Sequence, residues 1–259
     1  MNGSSIDLMI IAPAFIAGLL VLATHVPLGA QVLKRGIVFI DLAIAQIAGL
    51  GVIAAGLADF DQEWMVQLAA GTAAVLGALL LTWTEKRWPK VQEALIGALF
   101  VLAATGGLLL LANNPHGGEH LRDLLAGQIL WVGYDQLLIP AIGTAVIGGL
   151  LLAFQGRMGH FGFYLLFAIA VTISVQLVGV YLVFASLIVP SLGARNYGGR
   201  IRLWLAGAIG IAGYGAGLLL SMMYDLPAGA LIVWCLAVLA ALVHAVGPGE
   251  RTQEGENWA

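Results

Sequence analysis

The chain has 259 residues, of which 61% are hydrophobic and only 10% are charged, its formal net charge is -3, and its mean hydropathy is +0.97. Water-soluble globular proteins have about 25% charged residues, so this composition excludes that class and indicates an integral membrane protein. The apolar stretches run to about 18–25 residues, which suits helices crossing a hydrocarbon core of about 30 Å, and barrel-type alternation is not seen. The predicted fold class is therefore all-α: a polytopic transmembrane bundle with about eight or nine spans.

The predicted spans, in chain order, cover residues 7–33, 36–58, 65–84, 94–113, 136–155, 161–192, 203–224 and 228–247. The segment 161–192 is too long for one ordinary span and too short for two complete ones. Gly179 divides it, which predicts a full span followed by a short or tilted return. The transmembrane domain is thus expected over 1–247, and the polar tail 248–259 is expected to be disordered.

Basic residues predict the orientation, because the cytoplasmic loops of membrane proteins collect Lys and Arg. If 161–192 crosses and returns, ten of the eleven basic residues lie on one side and Arg122 is the exception. The ten are Lys34, Arg35, Lys86, Arg87, Lys90, Arg157, Arg195, Arg200, Arg202 and Arg251. The N-terminus is therefore expected in the periplasm and the C-terminus in the cytoplasm.

Asp41 lies in the apolar stretch VFIDLAIAQIAGLGV at 38–52. A carboxylate inside a membrane helix costs about 2.5–3.5 kcal/mol on insertion scales, so such residues usually form ion pairs, line a wet cavity or bind an ion. Because Asp41 lies only about 9 Å along the chain from Arg35, an ion pair with Arg35 or Lys34 is the alternative.

His25 and Gln46 each lie about ten residues from the basic turn at 34–36, so both are expected about 15 Å deep, where they could meet. Pro27 leaves one backbone carbonyl without its helical partner, free for water, a cation or a polar side chain. A His25–Gln46 hydrogen bond that ties two helices together is the alternative. Asp41 and Gln46 are about 140° apart around a helix and cannot both face one ligand. Asp41 is therefore interpreted as a later position on the route of the ion to the cytoplasm.

The outer loop NNPHGGEHLRD at 113–123 carries His116, Glu119 and His120. Imidazole and carboxylate groups at spacings of three and four suit zinc or manganese. Gly117 and Gly118 oppose a regular helix there, so a solvated polar loop is the alternative. These three residues form the predicted periplasmic entry site.

Sequence motifs for catalysis are absent from the chain. It contains no G-x-x-x-x-G-K-[ST] phosphate loop, no HExxH pair and no nucleophile motif. We therefore expect a transport subunit without its own ATPase, and not an enzyme. No nucleic-acid partner is expected; the surroundings are a lipid bilayer.

Four stretches in order resemble the permease subunit of bacterial ABC importers for zinc, manganese and related metals. VFIDLAIAQIAGLGV resembles that family's second-helix motif, and DLLAGQIL at 123–130 its L-F-G-x-x-L segment. SVQLVGVYLVFASLIVPSLGAR at 174–195 is similar to its V-G-x-x-L…P…A-R stretch, and YDLPAGALIV at 224–233 to its Y-D-x-P-x-G-x-x-I-V.

The resemblance implies a homodimeric permease in the bacterial inner membrane, driven by cytoplasmic ABC ATPase subunits and supplied by a periplasmic metal-binding protein. It also implies a cytoplasmic helix over 191–202 that docks on the ATPase. The residues expected in this coupling are Ser191, Gly193, Arg195, Gly199, Arg200 and Arg202. Simple anchoring of these basic residues at the cytoplasmic surface is the alternative.

The chain departs from the family's usual G-D-x-x-S-H-x-x-x-P-G. Asp41 stands where glycine is usual, Leu42 where aspartate is, and Gln46 where histidine is. An amide is a poor ligand for zinc and a tolerable one for a harder ion, and His25 could supply the missing imidazole from the neighbouring helix. Zinc, manganese and iron all remain open, with zinc slightly favoured because His25, His116 and His120 are the expected ligand donors. No bound cofactor is expected, since the divalent ion is the transported substrate.

Two further functions fit the same sequence. A permease of similar architecture could carry a metal chelate of the siderophore or cobalamin type. A proton-coupled secondary carrier would use Asp41 and His25 as a relay and would need no ATPase.

Overall fold

The computed structural model describes residues 3–58, 62–112, 125, 127–154 and 159–248. Within these residues the chain forms nine α-helices and no strand, and eight of the helices are long and apolar enough to cross a membrane. The helices are α1 (Gly3–Arg35), α2 (Ile40–Leu57), α3 (Glu63–Arg87), α4 (Gln92–Leu111), α5 (Leu138–Phe154), α6 (His160–Val178), α7 (Val180–Gly193), α8 (Gly199–Tyr224) and α9 (Ala228–Val246). The predicted all-α transmembrane bundle is confirmed.

The long apolar segment 161–192 divides at Gly179, as its length indicated. Gly179 has φ 81°, a left-handed conformation that favours glycine, and its N–H donates to the Val175 carbonyl as the last bond of α6. The return helix α7 has only 14 residues, or about 21 Å at 1.5 Å per residue, so it is shorter than a hydrocarbon core.

Two groups of helices make up the bundle. In the first, α2 packs between α3 and α4, and in the second, α1, α7, α8 and α9 pack together. Helix α6 joins the groups through contacts with α2, α3 and α1. Glycines permit the closest approaches: Gly29 of α1 lies against the Leu187 carbonyl of α7, and Gly217 of α8 lies against Ile232 of α9.

Helix ends with basic residues meet at one end of the bundle. The Arg35 guanidinium at the end of α1 lies 4.1 Å from the ring centre of Phe163, near the start of α6. His160 Nδ1, also at the start of α6, lies 2.7 Å from Glu85 Oε2 near the end of α3. The basic-residue pattern requires these helix ends to lie on the same side of the membrane, and they do lie at the same end of the bundle. Which side of the membrane that end faces stays a prediction.

The predicted tail falls almost wholly outside the described residues. Helix α9 ends at Val246, close to the expected domain boundary at 247, and Pro248 is the last residue described. The division into a domain at 1–247 and a tail at 248–259 therefore stays a prediction.

Candidate functional site

Helix α2 packs against α3 on one face and α4 on a second, and its third face lines a cleft. Ile47 packs on Gly77 of α3, and Leu50 packs on Gly106 of α4. Ala48 and Val52 lie on the third face, where they line a cleft of about 380 Å³ between α2, α6 and the segment 127–136. Glycines of α3 and α4 thus allow α2 to pack closely on two sides, and the smaller residues of α2 on the third side lie beside open space.

Asp41 lies on the cleft face, at its inner end. Residues 41, 45, 48 and 52 follow at intervals of four, three and four, which places them on one side of a helix. The Asp41 side chain is fully buried, and neither carboxylate oxygen has a hydrogen-bond partner in the part of the chain that the structure describes. Asp41 lies seven residues, or about 10 Å, below Ala48, and Ala45 is the small residue between them.

The ion pair considered for Asp41 is not formed with Arg35, whose guanidinium lies over the Phe163 ring instead. A buried polar group without a partner is uncommon in native proteins and needs a specific explanation. Asp41 lies on the side of α2 that also lines the cleft, and its expected part in an ion pathway stays a prediction.

Gln46 does not share that face. It is 140° from Asp41 around the helix and lies on the side of Leu50, which packs against α4. The side chain is 6% exposed and forms no hydrogen bond with the described residues. Its predicted place in the ion pathway is untested, and the structure keeps the angular separation that the sequence implied.

His25 is fully buried on α1, and one ring nitrogen is free. Its Nδ1 lies 3.0 Å from the Val21 carbonyl oxygen and 3.0 Å from Thr24 Oγ1. Because a carbonyl only accepts, Nδ1 carries the proton and Nε2 keeps its lone pair. Nε2 has no partner among the described residues, so the ring is in the tautomer that metal-binding histidines use.

The expected meeting of His25 and Gln46 is not found. Helices α1 and α2 scarcely touch, and no hydrogen bond joins the two side chains. His25 lies on the face of α1 that carries Gly18 and Gly29, which pack on Tyr214 and on Leu187. The interhelical hydrogen bond considered for this pair was therefore wrong, since α7 and α8, and not α2, cover this face of α1.

A closed metal centre is absent from the described residues, where no group of three or more His, Cys, Asp or Glu side chains could hold an ion together. His25 and Asp41 are separate positions in the bundle. The predicted entry residues His116, Glu119 and His120 lie outside the described residues, and their role stays a prediction.

The cleft has a polar lining that the sequence reasoning missed. Gln128, Gln136, Thr172 and Gln176 line it together with Trp131. Gln176 gave a usable signal, since it is a polar residue in an apolar span like Gln46. Gln128 and Gln136 gave none, because only the folded segment 127–136 brings them beside α6.

Two of the stretches that carried the family resemblance contact each other here. Gly127, from DLLAGQIL, has φ 65° and lies against the Val178 carbonyl at the break between α6 and α7. Gln128 and Gln176 each lie within two residues of this contact, and both line the cleft.

The distinct cytoplasmic helix expected over 191–202 is not formed. Helix α7 ends at Gly193, a turn covers 194–198, and α8 begins at Gly199. Gly199 has φ 55°, a left-handed conformation that favours glycine and lies outside the range of a continuous right-handed helix.

The residues predicted to contact the ATPase differ in exposure. Ser191 is buried, and its Oγ donates to the Val26 carbonyl of α1 at 3.4 Å, while Gly193 packs on Ala240 of α9. The exposed members are Arg195, Gly199 and Arg200, and Arg202 is half-buried. The first two residues are therefore packing residues, and a coupling role for the set stays a prediction.

Comparison with known proteins agrees with this architecture. The chain is 26% identical over 244 residues to the manganese transport system membrane protein MntC of Halalkalibacterium halodurans, covering 85% of this chain and 82% of that protein. It is 24% identical over 254 residues to the high-affinity zinc uptake system membrane protein ZnuB of Haemophilus influenzae, covering 90% and 96%.

The fold also matches a solved structure, PsaBC from Streptococcus pneumoniae in complex with Fab, with a TM-score of 0.79 at 20% identity, covering 97% of this chain and 98% of that one. The sequence profile of the ABC 3 transport family matches residues 7–159 and 153–247, which is nearly the whole chain. The protein therefore belongs to the ABC 3 transport family.

Proposed function

We propose that this chain is the membrane permease of an ATP-driven importer for divalent transition metal ions. Family membership and the metal-transport names of the relatives support this proposal. The permease acts as a homodimer in the bacterial inner membrane, with the N-terminus in the periplasm. Separate cytoplasmic ATPase subunits drive alternating access, and a periplasmic metal-binding protein delivers the ion.

The observation that carries the proposal is the unpaired carboxylate of Asp41 beneath the cleft. A bare carboxylate in a dry bundle is costly, and a passing cation would relieve that cost. Ala45 and Ala48 are the small residues of this face between the cleft and Asp41, so the proposed path follows them. The ion enters at the cleft and leaves past Asp41.

The remaining positions of the pathway follow the residue chemistry. His116, Glu119 and His120 receive the ion at the periplasmic side, and the free Nε2 of His25 offers an imidazole ligand within the bundle. Gln46 lies about 140° from Asp41 around α2, so its neutral amide oxygen is a proposed donor away from the face that joins the cleft to Asp41. Zinc, manganese and iron are all compatible with these donors, and relatives are named for both manganese and zinc.

Coupling to the ATPase uses the end of the bundle that carries the basic residues. Arg195 and Arg200 are exposed beside the turn at 194–198. Guanidinium groups bind carboxylates in paired geometry, so an acidic surface on the ATPase is the expected partner.

The test is radiolabelled metal uptake by cells that express the chain with an ATPase and a delivery protein. Zinc, manganese and iron are compared for the wild type, Asp41→Ala and the control Asp225→Asn, which changes an exposed acid in the loop after α8. Uptake of one metal that falls sharply only in Asp41→Ala supports the pathway. If no free ion enters although the protein is in the membrane, the chelate and proton-coupled carriers replace this proposal.

A further inference from the structure

Three glutamines from three separate elements line the cleft. Gln128 precedes the 3-10 helix Ile129–Trp131, Gln136 lies in the 3-10 helix Tyr134–Leu137, and Gln176 lies two residues before the end of α6. All three side chains are exposed. Hydrocarbon cannot satisfy an exposed amide, so an aqueous setting fits these side chains better than a lipid one.

The rest of the lining is neutral. The described residues around the cleft include no acid, no base, no histidine and no cysteine. The wall toward α2 is small and apolar, with Ala48, Gly49 and Val52, and Thr172 is the buried hydroxyl deeper on α6. An ion in this cleft therefore meets only amide and hydroxyl oxygens from the described residues.

The size of the cleft suits an ion that keeps its water. One water occupies about 30 Å³ in the liquid, so a first shell of six waters needs about 180 Å³. The cleft holds about 380 Å³, which leaves room for the hydrated ion and for a few bridging waters.

The donor chemistry points to a hard cation. Carbonyl oxygen and water suit manganese, magnesium and calcium, whereas zinc is usually held by imidazole or thiolate. Amide oxygens can accept hydrogen bonds from the waters of the ion and leave its inner shell intact.

We propose that Gln128, Gln136 and Gln176 form a reception site for a divalent cation that still carries its water shell, with manganese-type ions favoured over zinc. This inference rests on the proposed function and deepens it. The cation loses water only below the cleft, on the α2 face that ends at Asp41.

The first experiment measures manganese transport by the complete importer in proteoliposomes. A triple variant, Gln128→Leu, Gln136→Leu and Gln176→Leu, is compared with Gln67→Leu, which removes an amide from another surface groove on α3. The maximal rate falls about tenfold in the triple variant alone, since several hydrogen bonds are lost. The half-saturating concentration is unchanged, because the delivery protein sets it. Metal-independent ATP hydrolysis at the wild-type rate shows that the variant complex is assembled.

The second experiment detects retained water directly. Manganese chloride is titrated into the importer in nanodiscs, and the relaxation rate of water protons is recorded. A manganese ion held on a large particle with its waters raises that rate. The rise is expected in the wild type and in Gln67→Leu, and is lost in the triple variant. Gln176→Glu adds a carboxylate and should tighten manganese binding about tenfold.

The outcomes separate the two proposals. A wild type that transports no free divalent ion, with or without transport of a chelated metal, overturns the proposed function and the reception site that rests on it. A wild type that transports manganese, with a triple variant of equal rate and equal relaxation enhancement, overturns the reception site alone.

Discussion

Gly127 lies directly against the carbonyl oxygen of Val178, where α6 ends and α7 begins. Gly127 and Gly179 both have positive φ, so two left-handed glycines face each other across one junction. The junction fixes where Gln128 and Gln176 stand, because each lies within two residues of it. The shape of the cleft mouth therefore depends on a backbone contact that leaves no room for a side chain.

We predict that Gly127→Ala destabilises the protein. A non-glycine residue at φ 65° costs about 1–2 kcal/mol, and forcing Cβ against the Val178 carbonyl adds about 1–3 kcal/mol. The melting temperature of the purified protein in detergent should fall, and metal transport should fall with it.

Gly149→Ala is the matched control for this prediction. Gly149 lies in α5, and a Cβ there meets open space. Alanine favours a helix over glycine by about 0.5–1 kcal/mol, so this variant should keep or raise the melting temperature. Equal losses in the two variants would contradict the junction argument.

Features that depend on residues close together in the sequence were predictable from it. The helix spans depend on local apolar length, and the division of 161–192 at Gly179 depends on a local length mismatch, so both were predictable. The angle between Asp41 and Gln46 is a property of one helix and was also predictable.

Other features depend on contacts between distant segments. The amide-lined cleft forms only when the segment 127–136 folds against α2 and α6. No periodic pattern in the sequence predicts that contact. The depth expected for His25 stays a prediction, and a depth in the membrane would not tell which neighbouring helix the histidine contacts. The expected helix over 191–202 was carried from a resemblance and not from residue pattern, and a left-handed glycine at 199 interrupts it.

We predict that Asp41 lowers the folding stability of the permease and is nevertheless required for metal transport. Replacing it by Ala or Leu removes a buried carboxyl group without a hydrogen-bond partner, which should stabilise the fold by about 1–3 kcal/mol. The same variants should lose metal uptake, as functional residues often reduce stability. Thermal unfolding and uptake are measured on the same preparations. A lower melting temperature for Asp41→Leu, which fills a similar volume with an apolar side chain, would show that the carboxyl group has a structural partner instead.

Glu93 is predicted to hold the start of α2. Its Oε1 accepts a hydrogen bond from the Phe39 N–H at 3.2 Å, so α4 supplies the cap that the side chain of Phe39 cannot. Glu93→Leu removes this acceptor and should cost about 0.5–2 kcal/mol, the usual range for a lost helix cap. Glu93→Gln keeps an oxygen acceptor and should cost less. Hydrogen exchange of the amides at 39–42 checks the prediction, and equal protection in both variants would refute it.

The last prediction separates packing from coupling at the end of the bundle that carries the basic residues. Gly193→Leu places a large side chain against Ala240 of α9 and should lower the melting temperature of the permease by itself. Arg200→Glu reverses an exposed charge at the start of α8 and should leave that temperature unchanged, since surface substitutions usually alter stability by less than about 0.5 kcal/mol. If Arg200 meets an acidic ATPase surface, only Arg200→Glu should reduce co-purification of the ATPase with a stable permease. An Arg200→Glu permease that retains its ATPase fully would remove Arg200 from the coupling surface and leave Arg195 as the exposed guanidinium to test.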